Sequence, residues 1–175
     1  MTGLRHYVGI DPDLNGAIAI VAINEGGRVE ECKIHPMPTL RSGPKGRREI
    51  NVRDICWTIE NIHYQYGGSV VCACVEHTTG SAGWGASACF TLGYTRGVVV
   101  AALTCACIPH ILARPQKWQK HFGIYGRGLS RSARKQRALS IVQSLIPGEV
   151  KNLTTQTADA VLLALYARQQ MEQEV

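Results

Sequence analysis

The chain has 175 residues, 45% hydrophobic and 18% charged, with a formal net charge of +6. That length and apolar content suit one compact domain with a full core and exclude a disordered tail. No uninterrupted apolar run reaches the ~18 residues of a membrane-spanning helix, so none is expected.

The N-terminal MTGLRHYVGID enters a strand at once, so no signal or transit peptide is expected within this sequence. Residues 5–12 and 16–23 are apolar runs joined by a turn at Asn15-Gly16, a hairpin signal. Residues 28–36 continue the meander as a third strand, and 39–49, TLRSGPKGRRE, read as a basic Gly/Pro loop. Ile55, Ile59, Ile62 and Tyr66 recur at helical spacing within 51–66, with Asn51 as N-cap and Gly67-Gly68 as the stop. SVVCACVEH (69–77) is a continuous valine-rich apolar run, the mark of a central strand.

A glycine-rich loop, GSAGWGAS (80–87), leads into a long helix of small and apolar residues over 87–107, with Leu92, Val99 and Leu103 among Gly and Ala, which implies close neighbours. IPHILA (108–113) is a short strand, and Pro115 opens the next helix. Residues 130–146 form a helix with a basic outer face and an apolar side of Leu139, Val142 and Leu145-Ile146. Thr154–Gln170 is the last helix, burying Val161, Leu162, Leu165 and Tyr166. The order β-β-β-α-β-α-β-α-α implies an α/β architecture: a mixed sheet flanked by helices.

Seven cysteines include two CxC pairs, Cys72/Cys74 and Cys105/Cys107, inside apolar runs. Zinc sites use CxxC spacing, so these read as buried free thiols in a reducing, intracellular compartment. Charge is unevenly spread. No Asp or Glu occurs between Glu76 and Glu149, while that stretch holds Arg96, Arg114, Lys117, Lys120, Arg127, Arg131, Arg134, Lys135 and Arg137. A field of one sign points to a polyanion such as nucleic acid.

Three acids fall at informative places. Asp11 ends the first strand, Glu76 ends the central strand, and Asp159 stands on the last helix. Adjacent strands ending together would set Asp11 beside Glu76, where like charges repel unless a divalent cation lies between them. Paired Mg²⁺ or Mn²⁺ ions in such a cluster would clamp a phosphodiester. Each acid also has a plainer reading: Asp11 as a turn cap, Glu76 as an ion-pair partner, Asp159 as a first-turn helix acid.

With these residues in place, the chain resembles the RuvC-type Holliday junction resolvases. Matching pieces are GIDPDLNGAIAI (9–20), VEH (75–77), GASACFTLGYTRGVVVAAL (85–103), IPHILARPQKWQK (108–120), SRSARKQRALSIVQSLIP (130–147) and ADAVLLALYA (158–167), in family order. The glycine-rich loop looks more like the chloroplast branch than the bacterial one. The resemblance implies an RNase H-like fold with a five-stranded mixed sheet and a homodimer packed through the helix near 88–106. It also implies Mg²⁺- or Mn²⁺-dependent cutting of four-way DNA junctions, with two ions per site and Asp11, Glu76 and Asp159 as metal ligands. The compartment would be a bacterial or viral cytoplasm, or an organelle such as the chloroplast if a transit peptide had been removed.

One departure stands out. The family carries a further acid or a histidine one turn before the final acid, where this chain has Thr155 and Gln156. Either this branch works with fewer acids, or Gln156 replaces a catalytic carboxylate. Family lysines near Lys117, Lys120 and Lys135 contact the scissile phosphate, which makes Lys120 the first choice for a catalytic lysine and Lys135 the second. Arg127, Arg131, Arg134 and the loop Arg41, Lys45, Arg47, Arg48 would grip phosphates. Loop 77–87, with His77, Ser81, Trp84 and Ser87, would meet the junction centre, Trp84 by stacking; His77 would face away from Glu76, since strand neighbours alternate. Competing readings are an inactive junction clamp of the same fold, an actin-like or sugar-kinase domain, and a transposase nuclease domain. The second needs two such halves, and the third needs added DNA-binding segments.

Overall fold

The computed structural model describes residues 3–42, 46–79, 85–126 and 128–173. Its centre is a five-stranded mixed sheet of order β3-β2-β1-β6-β7. Strands β1 (Arg5–Asp11), β2 (Ala17–Ile23) and β3 (Val29–Pro36) form the antiparallel meander, and β6 (Val70–Glu76) and β7 (His110–Ala113) add in parallel beside β1. Every residue of β2 is buried, as its unbroken apolar run requires of a strand covered on both faces.

Helices α1 (Val52–Tyr66) and α2 (Ala86–Cys105) cover one face, packing Ile55, Ile59, Ile62, Val99 and Leu103 against Val8, Ile10, Ala73 and Val75. Helices α3 (Pro115–His121), α4 (Arg131–Leu145) and α5 (Ala158–Gln173) cover the other, packing Trp118, Ala138, Val142, Val161 and Leu162 against Tyr7, Cys72 and Cys74. Asn51 caps α1 by accepting from the Asp54 amide, 3.3 Å away, and Ser130 caps α4 through the Ala133 amide at 3.1 Å.

Several expectations need correction. Residues read as one basic loop contain a second, two-stranded sheet, β4 (Thr39–Ser42) paired antiparallel with β5 (Arg47–Ile50). Helix α5 begins at Ala158 rather than Thr154, because residues 154–157 form a turn in which the Thr157 hydroxyl donates to the Asn152 carbonyl (2.7 Å) and accepts from the Thr154 amide (2.9 Å). On α4 the inward residues are Ala138 and Val142, with Leu139 half-buried and Leu145 exposed, and Ile146, just past its end, is buried. Cys72 and Cys74 are buried, but Cys105 and Cys107 at the end of α2 are exposed. Helix α2, 20 residues with mean hydropathy 1.4 over its most apolar window, is long and apolar enough to cross a membrane by length and composition. The expectation of no such segment missed it because Gly, Thr and Arg96 interrupt the run without lowering its average much.

Helix α5 lies unusually close to the sheet. A β-carbon on Gly9 would stand 1.9 Å from the Ala160 carbonyl oxygen and 2.3 Å from the Ala164 nitrogen. Only glycine permits this contact, which sets the first turn of α5 beside the end of β1.

Candidate active site

The strand period builds the site. Asp11 shares its face of β1 with Gly9 and Tyr7, and Glu76 shares its face of β6 with Cys74 and Cys72, so both acids point to the α5 side. Ile10 is in register with Val75, which leaves Asp11 and Glu76 as neighbours at the ends of two parallel strands. The close approach at Gly9 brings in Asp159, the second residue of α5. All three open on one cleft of about 970 Å³.

Each acid is held. The Trp118 indole, wholly buried, donates to Glu76 Oε1 at 3.1 Å, and the Thr78 hydroxyl donates to Oε2 at 3.0 Å. Arg96 donates to the Thr78 carbonyl at 2.9 Å, which braces that segment. Lys135 donates to Asp159 Oδ2 at 2.7 Å in a largely buried ion pair. Beside Asp11, a β-carbon on Gly16 would sit 2.0 Å from the Asp11 carbonyl oxygen and 2.9 Å from its carboxyl carbon, so no side chain fits there.

The cluster is short of positive charge. Burial, then the negative charges of Glu76 and Asp159, push the Asp11 carboxyl up to about 8 despite Lys135. Glu76 is also raised, chiefly by burial, with the Thr78 and Trp118 hydrogen bonds and Lys135 pulling the other way. A site made of hard carboxylate oxygens with uncompensated charge has the chemistry that Mg²⁺ and Mn²⁺ take. Among the described residues, however, no group of three Asp, Glu, His or Cys side chains is disposed to hold one ion together.

The cleft walls are basic. Arg47, Arg131, Arg134 and Lys135 line it, with Ser87, Thr91 and Thr95 of α2 and Gln119 of α3. Arg47 donates to the Ser87 hydroxyl at 2.6 Å across the cleft. Of the residues singled out by sequence, the structure brings together Asp11, Glu76, Asp159, Lys135, Arg131, Arg134, Arg47 and Ser87.

Others lie elsewhere. Lys117 and Lys120 are exposed and do not line the cleft, to which α3 instead presents Pro115 and Gln119. Of the two lysines weighed for catalysis, only Lys135 reaches the carboxylates. Gln156 is exposed in the turn before α5, off the cleft, and Thr155 is in that turn as well. Arg48 is bound to protein oxygens. His77 is not in the cleft lining; its amide donates to the Ala113 carbonyl at 2.8 Å, and burial lowers its imidazole pKa, aided by Arg96 and Arg114. Lys45, Ser81, Trp84 and Arg127 lie outside the described residues.

Trp118, which the sequence reading gave no role, is the residue that holds Glu76 Oε1. A signal existed: it is the one large apolar residue in PQKWQKH, hence the one that must turn inward.

A mixed five-stranded sheet with helices on both faces, and acids at the ends of adjacent central strands, defines the RNase H-like class. Within it, the chain has the fold of RuvC Holliday junction resolvases. RuvC from Thermus thermophilus superposes with a TM-score of 0.61 at 15% identity, over 95% of each chain. T. thermophilus RuvC in complex with a Holliday junction substrate gives 0.65 at 14% identity, over 98% of this chain and 97% of that one. The yeast mitochondrial Holliday junction resolvase Ydc2 gives 0.54 at 12% identity, over 96% and 83%. No family model matches the sequence. No curated protein matches it either.

Proposed function

We propose that the chain is a structure-selective endonuclease that makes paired, symmetric nicks in four-way DNA junctions with the help of Mg²⁺ or Mn²⁺. The observation that carries this reading is the meeting of Asp11, Glu76 and Asp159, from β1, β6 and α5, on the floor of a cleft walled by Arg47, Arg131, Arg134 and Lys135. The likeness to a RuvC solved with its junction supports DNA of that form as the partner.

Asp11, Glu76 and Asp159 would hold the ions, two per site. When bound, they would supply an activated water and neutralise charge at the phosphate. The chain's own residues do the rest. Arg47, Arg131 and Arg134 bind phosphates and fix the strand across the cleft. Trp118 and Thr78 keep the Glu76 oxygens in one orientation. Lys135, anchored on Asp159, sets a positive charge where negative charge develops on the phosphate oxygens.

A homodimer would supply two such sites for two strands. Its contact would be the uncovered side of α2, where Phe90 and Tyr94 are 74% and 50% exposed and, among the described residues, nothing lies within 4 Å of a β-carbon built on Gly93 or Gly97.

The absence, among the described residues, of three side chains disposed around one ion favours a second reading, an inactive junction clamp of the same fold. Incubating a synthetic four-way junction with the protein and Mg²⁺ or Mn²⁺, then mapping the strands, separates the two. Symmetric paired nicks are expected. Tight binding without a nick, in this chain and in Gln156→Glu, would establish the clamp.

A further inference from the structure

We propose that Arg48 is a positioning residue for the cleavage centre: it holds the turn after Asp11, while its neighbour Arg47 faces the DNA. This rests on the endonuclease reading above. Successive residues of a strand point to opposite faces, and β5 divides its two arginines accordingly. Arg47 lines the cleft and reaches Ser87. Arg48 turns the other way and spends its guanidinium on protein oxygens. Nη2 donates to the Leu14 carbonyl at 2.7 Å, Nη1 to Asn15 Oδ1 at 2.6 Å, and Nε to Thr39 Oγ1 at 3.0 Å.

The turn so gripped connects Asp11 to β2. Within the turn the Leu14 amide donates to Asp13 Oδ1 at 2.7 Å, and the remaining bonds lie toward its ends. The Asp13 amide donates to Asp11 Oδ1 at 3.3 Å, the Gly16 amide to the Asp13 carbonyl at 2.8 Å, and the Met37 amide to the Gly16 carbonyl at 2.9 Å. The apex, Leu14-Asn15, is tied by Arg48 to the β4–β5 hairpin. Because Asp13 bonds directly to the Asp11 carboxylate, a shift of the apex is passed to an oxygen of the cluster. Arg48 is exposed, so each bond adds little to global stability. Its planar fork instead fixes geometry, which a lysine cannot copy.

The rival is that Arg48 swings out to contact a DNA phosphate, as the sequence alone suggests. Arg48→Ala, Arg48→Lys and Arg47→Ala separate the two through three measurements: junction affinity against salt, single-turnover cleavage at saturating protein, and amide exchange over residues 13–16. For Arg48→Ala we expect cleavage slowed about ten- to a hundredfold, the scale of a small misplacement of a reacting group. Its junction Kd and salt slope stay within twofold of the parent, and exchange at 13–16 quickens at least tenfold. Arg48→Lys recovers little of the cleavage rate. Arg47→Ala leaves exchange at 13–16 alone and shallows the salt slope by about one phosphate contact.

Unchanged exchange in Arg48→Ala, or a salt slope shallower by about one, overturns the proposal. So does full cleavage. If the parent chain binds junctions but cuts none, the endonuclease reading fails by itself, and exchange with salt slope still decides what Arg48 does.

Discussion

Asp11 is costly to ionise without a cation, because burial and two acidic neighbours oppose its charge. Its folded pKa, about 8, lies above the unfolded value, so the protonated form stabilises the folded state. That contribution is complete at acid pH, fades as pH rises through the interval between the two values, and is gone above about 8. In chelator, the protein should therefore lose thermal stability between about pH 4 and pH 8. Asp11→Asn should flatten that loss and melt higher at pH 8, by about 2–4 °C per kcal/mol of repulsion relieved. Calorimetry across pH checks it, and a steeper loss in the variant would contradict it. The same variant should bind junctions normally and cut none. Added Mg²⁺ should raise the Tm of the parent at pH 8 more than that of Asp11→Asn, by linkage of binding to folding. Trp118→Phe keeps the bulk of the ring but removes the donor to Glu76 Oε1. A cost of about 1–3 kcal/mol in chemical denaturation is expected for an acid left short of a partner. The three acids were legible one by one in the sequence, since each sits beside an apolar run whose period fixes its face. Lys120 and Lys135 were not separable, because spacing alone does not say which helix turns its lysine toward the sheet. That Trp118 turns inward was legible in PQKWQKH, but its bond to Glu76 was not, since a hydrogen bond across 42 positions leaves no local trace.

Elements with strong periodicity were readable: α1 from its isoleucines, β6 from its valine-rich run, and the meander from the turn at Asn15-Gly16. The β4–β5 hairpin was not, because β4 and β5 are four residues each and mostly exposed, so no apolar alternation marks them. The start of α5 was misplaced by four residues, because the three threonines near it favour a hydrogen-bonded turn over a helix. The contact between β1 and α5 makes its own prediction. Gly9→Ala drives a methyl group into the Ala160 carbonyl, an overpacking that no side-chain movement relieves. It should cost at least about 3 kcal/mol, the upper end for such insertions, and lower the Tm by roughly 6–12 °C. An unaltered melting curve would show that α5 can retreat from the sheet, and with it Asp159.

Across the whole molecule, charge is divided: the acids lie in the two flanks and the middle is wholly basic, while folding brings Asp11 and Asp159 to the floor of the basic cleft. If about six phosphates are contacted, log affinity should fall with log salt at a slope near −5. A slope near zero in filter binding would contradict the cleft as a DNA seat. The uncovered side of α2 predicts a dimer, with Phe90 and Tyr94 stacked 6.1 Å apart at one end of it. Tyr94→Lys should shift sedimentation equilibrium toward monomer while leaving circular dichroism unchanged. Composition shows that this helix is apolar but not which side its own domain leaves open, so the sequence alone does not point to the dimer surface.

The joining of β1 to α5 also bears on synthesis. The opening strand leaves the ribosome early, yet its carboxylate gains Asp159 and Lys135 as neighbours only after residues 158–173 have been made and have docked on Gly9. A nascent chain halted short of that helix carries a half-covered sheet and an unassembled cleft, with the Asp11 carboxylate still lacking both neighbours.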